Sequence, residues 1–309
     1  MAELTPSILP VLHMLPEEDA IAEIIRTVLL GVTAQLTQRS YARALGELLH
    51  LARERRQPLS RELILAYRAS LVERKLAAST INVRLSAVRK LIDEARRRGA
   101  LGAQEAAELA DVPNIRQQGQ RLGHWLTREQ SRELLRVPGT DTLKGLRDSA
   151  ILALLLGCAL RRAELAALKI EDIQLRENRW VIADLQGKGG RIRTVAVPRW
   201  VHEAVTAWTA AAGIQSGPIA RSVTKGGRVG SGLSTWSVWS IVQSAAREIG
   251  VERFGAHDLR RTCAKLCRKS GGDLEQIRFL LGHASIATTE RYLGAEQDLA
   301  VAVNDNLGL

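Results

Sequence analysis

The residues with most chemical potential lie in the second half of the sequence, in four short groups. Cys158-Ala159-Leu160-Arg161-Arg162-Ala163-Glu164 sets an arginine one helical turn before a glutamate. Lys188 sits among glycines in Gln186-Gly187-Lys188-Gly189-Gly190. His257 and Arg260 stand three apart, on one face of a helix start. His283 precedes Tyr292 by nine residues. Of the three tyrosines, Tyr41 and Tyr67 fall on apolar helical faces, which leaves Tyr292 free for covalent work. Such a set suits cleavage of a phosphodiester. A phosphate under attack gathers negative charge on its non-bridging oxygens, and paired guanidinium forks can hold that charge. Acid and base groups then deprotonate the nucleophile and protonate the leaving oxygen.

Other chemistries find little support. Gly187-Lys188 is followed by Gly189 rather than Ser or Thr, so no P-loop is present. Metal-ligand spacings are missing, and neither a metal nor a cofactor is expected. The three cysteines do not make a disulfide framework; Cys263 and Cys267 share a helix face and read as packing. The net charge of +11 favours a polyanionic partner, of which nucleic acid is the commonest. The start lacks a secretory pattern, and the longest apolar run, Ala150 to Leu160, is too short to span a bilayer. A cytoplasmic protein without a membrane partner is the expectation.

These residues need elements to position them. Residues 1–35 form an acidic N-terminal segment, carrying Glu3, Glu17, Glu18, Asp19 and Glu23 against Arg26. The charge then reverses: 36–100 hold fifteen Lys/Arg and six Asp/Glu. Apolar residues recur there at helical spacing, which predicts a helical domain over 36–110. Its clearest helix opens at Ser79 as N-cap, runs through Ile81, Leu85, Val88 and Ile92, and stops near Gly99. Arg84, Arg89 and Lys90 lie on its other faces, either against DNA phosphates or merely in solvent. Residues 111–124 are polar and aperiodic and read as a linker. Thr127 with Gln130 predicts a capping box at the next helix. Asp148 to Leu168 reads as one long apolar helical stretch. Strands over 180–184 and 192–197, joined by the Lys188 loop, predict a hairpin. Helices follow over 201–212, 234–249, 257–270 and 274–281. The second domain, 125–309, is therefore mostly helical with a small antiparallel sheet and a C-terminal tail.

Four segments, RDSAILALLLGCALRRAELAAL, GKGGRIRTVAVP, HDLRRTCA and LLGHASIATTERYLG, occur in an order and spacing that resembles the tyrosine recombinase (phage integrase) family, in its simpler two-domain form. The resemblance covers about Trp125 to Tyr292, and more weakly 36–110, which looks like the family's helical, SAM-like core-binding domain. It implies a site-specific DNA recombinase working through a 3′-phosphotyrosyl intermediate, in integration, excision or resolution. Tyr292 would be the nucleophile. Arg161 and Arg260 would clamp the scissile phosphate, and Lys188 would protonate the leaving 5′-oxygen. His257 would act as acid/base, His283 would hydrogen-bond the phosphate, and Glu164 would orient Arg161. Double-stranded DNA and a homotetramer on two paired sites are the implied partners, with Leu299, Val303 and Leu307 offering a stripe for protomer exchange.

The sequence departs from the family pattern in two places. Cys158-Ala159-Leu160 stands where Thr-Gly-Leu is usual, and Arg162 follows Arg161 where an apolar residue is common. Counting back from Glu164 selects Arg161, although both arginines remain candidates. Lys225 is a second glycine-flanked lysine, but Lys188 lies between the two strands, as the family keeps it. Two rival readings are a type IB topoisomerase-like enzyme and a catalytically silent DNA-binding regulator on the same fold.

Overall fold

Alternation of apolar and basic residues at helical spacing gives the first unit its form. The computed structural model describes residues 18–116, 124–187 and 190–294. The chain divides into two units, Met1–Gln120 and Arg121–Leu309. In the first, helices α1 (Glu18–Leu30), α2 (Gln35–Arg55), α3 (Arg61–Glu73), α4 (Ala78–Arg97) and α5 (Ala103–Ala110) enclose one core. Helix α4 packs against each of the other four, because Ile81, Leu85, Val88, Ile92 and Ala95 recur along one buried stripe. Burying each such aliphatic side chain contributes about 1.5–3 kcal/mol.

Several boundaries differ from the sequence expectation. The helical block begins at Glu18 rather than at 36, because Ile24 and Val28, one turn apart, reach the core. Ser79 does not cap α4; it lies within the helix, and Ala77 takes the N-cap position. Residues 111–116, expected as linker, lie along the first unit. Val112 is buried there, and the Asn82 amide donates to the Ile115 carbonyl at 3.0 Å while accepting the Ile115 N–H at 2.8 Å.

The second unit is built around α7 (Leu143–Gly157), buried on every side from Ala150 to Leu156. It packs against α6 (Arg128–Arg136), α8 (Arg162–Ala167), α9 (Arg199–Ala211), α10 (Thr235–Glu248) and α11 (Ala256–Lys269). Helices α12 (Leu274–Leu281) and α13 (Ile286–Leu293) complete it. The expected capping box is present: the Gln130 N–H donates to Thr127 Oγ1 at 3.1 Å, and Gln130 Oε1 accepts from the Thr127 N–H at 3.0 Å. Strands β1 (Ile173–Arg176), β2 (Arg179–Gln186) and β3 (Ile192–Ala196) form an antiparallel sheet in the order β1-β2-β3. Sequence pattern predicts the β2–β3 hairpin but not β1, whose Ile-Gln-Leu-Arg is short and largely exposed. Ile182 pairs with Val195 and Leu185 with Arg193, so two residues of β2 oppose one of β3. This bulge includes Asp184 at φ +50°.

The expected single helix over 148–168 is two helices. Helix α7 ends at Gly157, Ala159 adopts φ +50°, and α8 starts after Arg161. Cys158, Ala159 and Leu160 are all fully buried, so apolarity continues straight through the break.

Candidate active site

The break between α7 and α8 leaves Arg161 at an N-cap in extended conformation, φ −74° and ψ 151°. Its backbone N–H donates to Glu164 Oε2 at 2.8 Å, and its Nη1 to Glu164 Oε1 at 2.6 Å. Arg162, the rival candidate, is exposed as the first residue of α8. The left-handed turn at Ala159 presents its carbonyl to Arg260, which also donates to the Leu281 carbonyl. Arg161 Nη2 reaches the same Leu281 oxygen at 3.4 Å. One carbonyl at the end of α12 thus gathers both guanidiniums. Arg260 is 1% exposed, and burial, with the Arg161 cation beside it, brings its pKa down to about 10.

Gly282 at φ +60° ends α12 and turns the chain to His283. His283 Nδ1 lies 3.0 Å from Thr289 Oγ1 of α13, which orients its ring. His257, in the first turn of α11, and His283 flank Tyr292 with ring centroids 5.4 and 5.2 Å from the phenol, both edge-on. The Tyr292 hydroxyl donates to the His257 carbonyl at 3.2 Å. Burial pushes the Tyr292 phenol up to about 12, against the opposing pull of Arg260 and Arg261. Desolvation, then the Arg260 and Arg161 cations, push His283 down to about 4. His257 is lowered as well, by desolvation and then by Arg261 and Arg260. A neutral imidazole on either side of a phenol can accept its proton. Beneath them Ala159, Cys263, Ala264, Ile277, Leu281 and Leu293 form an apolar floor.

The structure therefore brings Arg161, Glu164, Arg260, His257, His283 and Tyr292 together. Lys188 lies outside the described residues, as do Leu299, Val303 and Leu307. Lys225 stands exposed in the turn closed by the Val223–Val229 bridge, a separate element from the β2–β3 hairpin. Of the three basic residues expected on the α4 surface, only Lys90 is exposed. Arg84 is buried in an ion pair with Glu47. Arg89 is half-buried and donates to the Ala110 and Val112 carbonyls at 3.3 and 2.5 Å, so it braces the unit's C-terminal end. Arg84, paired with Glu47 inside its own unit, is not the surface cation expected of it, whereas Arg89 stays partly accessible.

Two arginines were not anticipated. Arg193 of β3 grips Glu164 with both Nη atoms, at 2.9 and 2.8 Å. Its signal in the sequence is alternation: it shares a strand face with Val195, which is buried. Arg261 places its guanidinium carbon 4.8 Å from the Tyr292 ring centroid. It follows His257 by four residues and so shares its helix face. Among the described residues, no group of three or more His, Cys, Asp or Glu could hold a metal ion, and no helix is long and apolar enough to cross a membrane.

Residues 124–298 match the phage integrase family, and residues 29–99 match the phage integrase N-terminal SAM-like domain. The chain belongs to the phage integrase family. Within it the chain is a tyrosine recombinase, an enzyme of site-specific DNA recombination. A tyrosine recombinase of Synechococcus elongatus is 30% identical over 250 residues, spanning 79% of this chain and 76% of that protein. Tyrosine recombinase XerC of Roseiflexus castenholzii is 31% identical over 236 residues, 74% of this chain and 72% of that one. Among solved structures, the XerH recombinase bound to palindromic difH substrate aligns with a TM-score of 0.67 at 19% identity, over 85% of this chain and 77% of that one. A lambda integrase dimer bound to a COC′ core site aligns at 0.66 and 16% identity, over 89% and 76%. At these identities the solved structures establish the fold.

Proposed function

We propose that this recombinase cleaves and rejoins double-stranded DNA through a 3′-phosphotyrosyl link on Tyr292. The observation that carries this reading is a phenol set between two imidazoles and beside two gathered guanidiniums. In the proposed cycle Arg161 and Arg260 hold the non-bridging oxygens of the scissile phosphate. The Tyr292 hydroxyl turns from the His257 carbonyl, gives its proton to a neighbouring imidazole, and its oxygen attacks phosphorus. His257 is the acid/base and His283 hydrogen-bonds the phosphate. The bond from phosphorus to the 5′-oxygen breaks, and Lys188 protonates that oxygen. The phosphotyrosine keeps the bond energy, so a 5′-hydroxyl from the same or another strand can reverse the step without ATP.

The helical unit that begins at Glu18 and takes in 111–116 serves as the core-binding domain, and the second unit, to which 125–294 belong, as the catalytic domain. XerH and lambda integrase were solved on their DNA, which supports a DNA duplex as partner. The reading extends to a homotetramer on two paired sites that performs integration, excision or resolution. The test is covalent capture. Wild-type protein is mixed with a pool of randomised duplexes, quenched in SDS, and the retained DNA is sequenced. A defined site, recovered by wild-type and not by Tyr292→Phe, is expected. Adducts without sequence preference, accompanied by relaxation of any supercoiled plasmid, point to a topoisomerase-like enzyme; retention without SDS-stable adducts points to a silent regulator.

A further inference from the structure

Glu164 is a buried carboxylate, its side chain 5% exposed, and two arginines compete for it. Arg193, 9% exposed, occupies both of its oxygens and also donates Nε to the Leu280 carbonyl at 3.1 Å. Arg161, whose side chain is 32% exposed, touches the same carboxylate through a single side-chain nitrogen. The division of labour is unequal, and it has a physical reason. A buried carboxylate facing one guanidinium closes with it into a two-point fork, the strongest arrangement open to the pair. With Arg193 absent, Arg161 would be the cation left to satisfy Glu164 in this way, and its fork would be consumed. The space around Arg193 fits such a post. A Cβ on Gly282 would meet its Cδ at 3.0 Å, and one on Gly187 would lie 3.3 Å from its Nη1 and 3.4 Å from Nη1 of Arg161.

We propose that Arg193 is a positioning residue for cleavage: by neutralising Glu164 and pinning the Leu280 carbonyl, it keeps the Arg161 fork free for the scissile phosphate and next to the His283 turn. It ties strand β3 to the start of α8 and the end of α12, three segments far apart in sequence. The inference rests on the Tyr292 and Arg161 reading given above.

The test uses the full chain and a duplex carrying the captured site, with the scissile group either an ordinary phosphodiester or a methylphosphonate. The methyl group removes the charge that the Arg161 fork must hold. Arg193→Gln is expected to slow single-turnover cleavage of the diester by about 100-fold or more, the scale of losing one charge-stabilising donor, while duplex affinity stays within about threefold. On the methylphosphonate the loss shrinks below about tenfold, as it does for Arg161→Ala. Adding Glu164→Gln to Arg193→Gln removes the carboxylate that captures Arg161 and is expected to recover at least about tenfold on the diester. A purely structural role predicts equal losses on both substrates and a double variant no better than the single one; either result overturns the proposal. If Arg193→Gln does not fold, Arg193→Lys carries the comparison, since a single ammonium cannot hold both Glu164 oxygens and the Leu280 carbonyl, and so leaves one carboxylate oxygen to capture the Arg161 fork. It must then lose more on the diester than on the methylphosphonate, and an equal loss again refutes. Failure of the underlying reading looks different, because wild-type protein then forms no adduct on either substrate.

Discussion

The doubled arginine at 161–162 gives the sharpest quantitative prediction. Arg161→Ala removes a guanidinium whose backbone and side chain both meet Glu164 and whose Nη2 reaches Leu281. In the proposed transition state it supplies two charge-assisted hydrogen bonds, each contributing about 1.5–3 kcal/mol. Their loss corresponds to about 3–6 kcal/mol, or a slowing of cleavage by ~10²–10⁴-fold at about 1.4 kcal/mol per decade. The stability cost is small, because Arg193 still neutralises Glu164. About 1 kcal/mol is expected, a fall in Tm of roughly 2–4 °C for a unit of this size. Arg162→Ala alters an exposed side chain and should leave cleavage within about threefold and stability within about 0.5 kcal/mol. Single-turnover adduct formation on the captured duplex, with a thermal melt of each variant, measures both quantities. If Arg162→Ala abolishes adduct formation while Arg161→Ala retains it, the assignment built on the Ala159 turn is wrong.

Four further outcomes are expected. Gly282→Ala forces a side chain into a left-handed residue and against Arg193, so it should cost about 1–2 kcal/mol of stability and slow cleavage by more than that destabilisation explains; kinetics assayed well below its melting point test this, and an unchanged rate would count against the Arg193 post. His283 titrates at about 4 in the folded chain against an ordinary 6.5. The unfolded state therefore binds more protons between those values, and stability falls as pH drops from about 6.5 toward 4. Denaturant midpoints across that range should slope less for His283→Gln, and parallel slopes would refute the linkage. Arg84→Ala should destabilise the first unit by about 1–3 kcal/mol, because the partly exposed Glu47 keeps Arg43 and Arg74 as partners. Lys90→Ala should leave the melt unchanged and, in the proposed DNA-binding role, reduce the salt dependence of duplex binding by about one counterion.

The groups nearest the nucleophile were legible in the sequence because each lies within a short helical segment. His257 and Arg260 share one turn of α11, and His283 follows the Gly282 stop that ends α12. The break before Arg161 was not legible. Gly157 stands at it, but a single glycine in an apolar run is tolerated inside a helix, Cys158, Ala159 and Leu160 are as apolar as the residues before it, and the left-handed turn depends on Arg260, which lies 101 residues away. Arg84 was misread for a related reason. Its charge suggested solvent, whereas its position, three residues after Ile81 and one before Leu85, puts it on the buried stripe with Glu47 as partner. Arg193 escaped because its role depends on a carboxylate that only the folded sheet brings beside it.

The bulge at Ala183–Asp184 sets the reading frame of the hairpin. Strand side chains alternate, so the extra residue in β2 returns Leu185 to the inner face opposite Arg193. Pairing β2 without the bulge would turn Leu185 and everything distal on that strand to the opposite face, whereas deleting one bulge residue sets Ile182 and Leu185 two apart, as Val195 and Arg193 are, and keeps Leu185 inside. Lengthening the tip beyond Gly187 leaves that frame untouched. A hairpin grafted from a relative should therefore be cut proximal to the bulge, at Ile182 and Val195, so that the inserted arm brings its own parity with it.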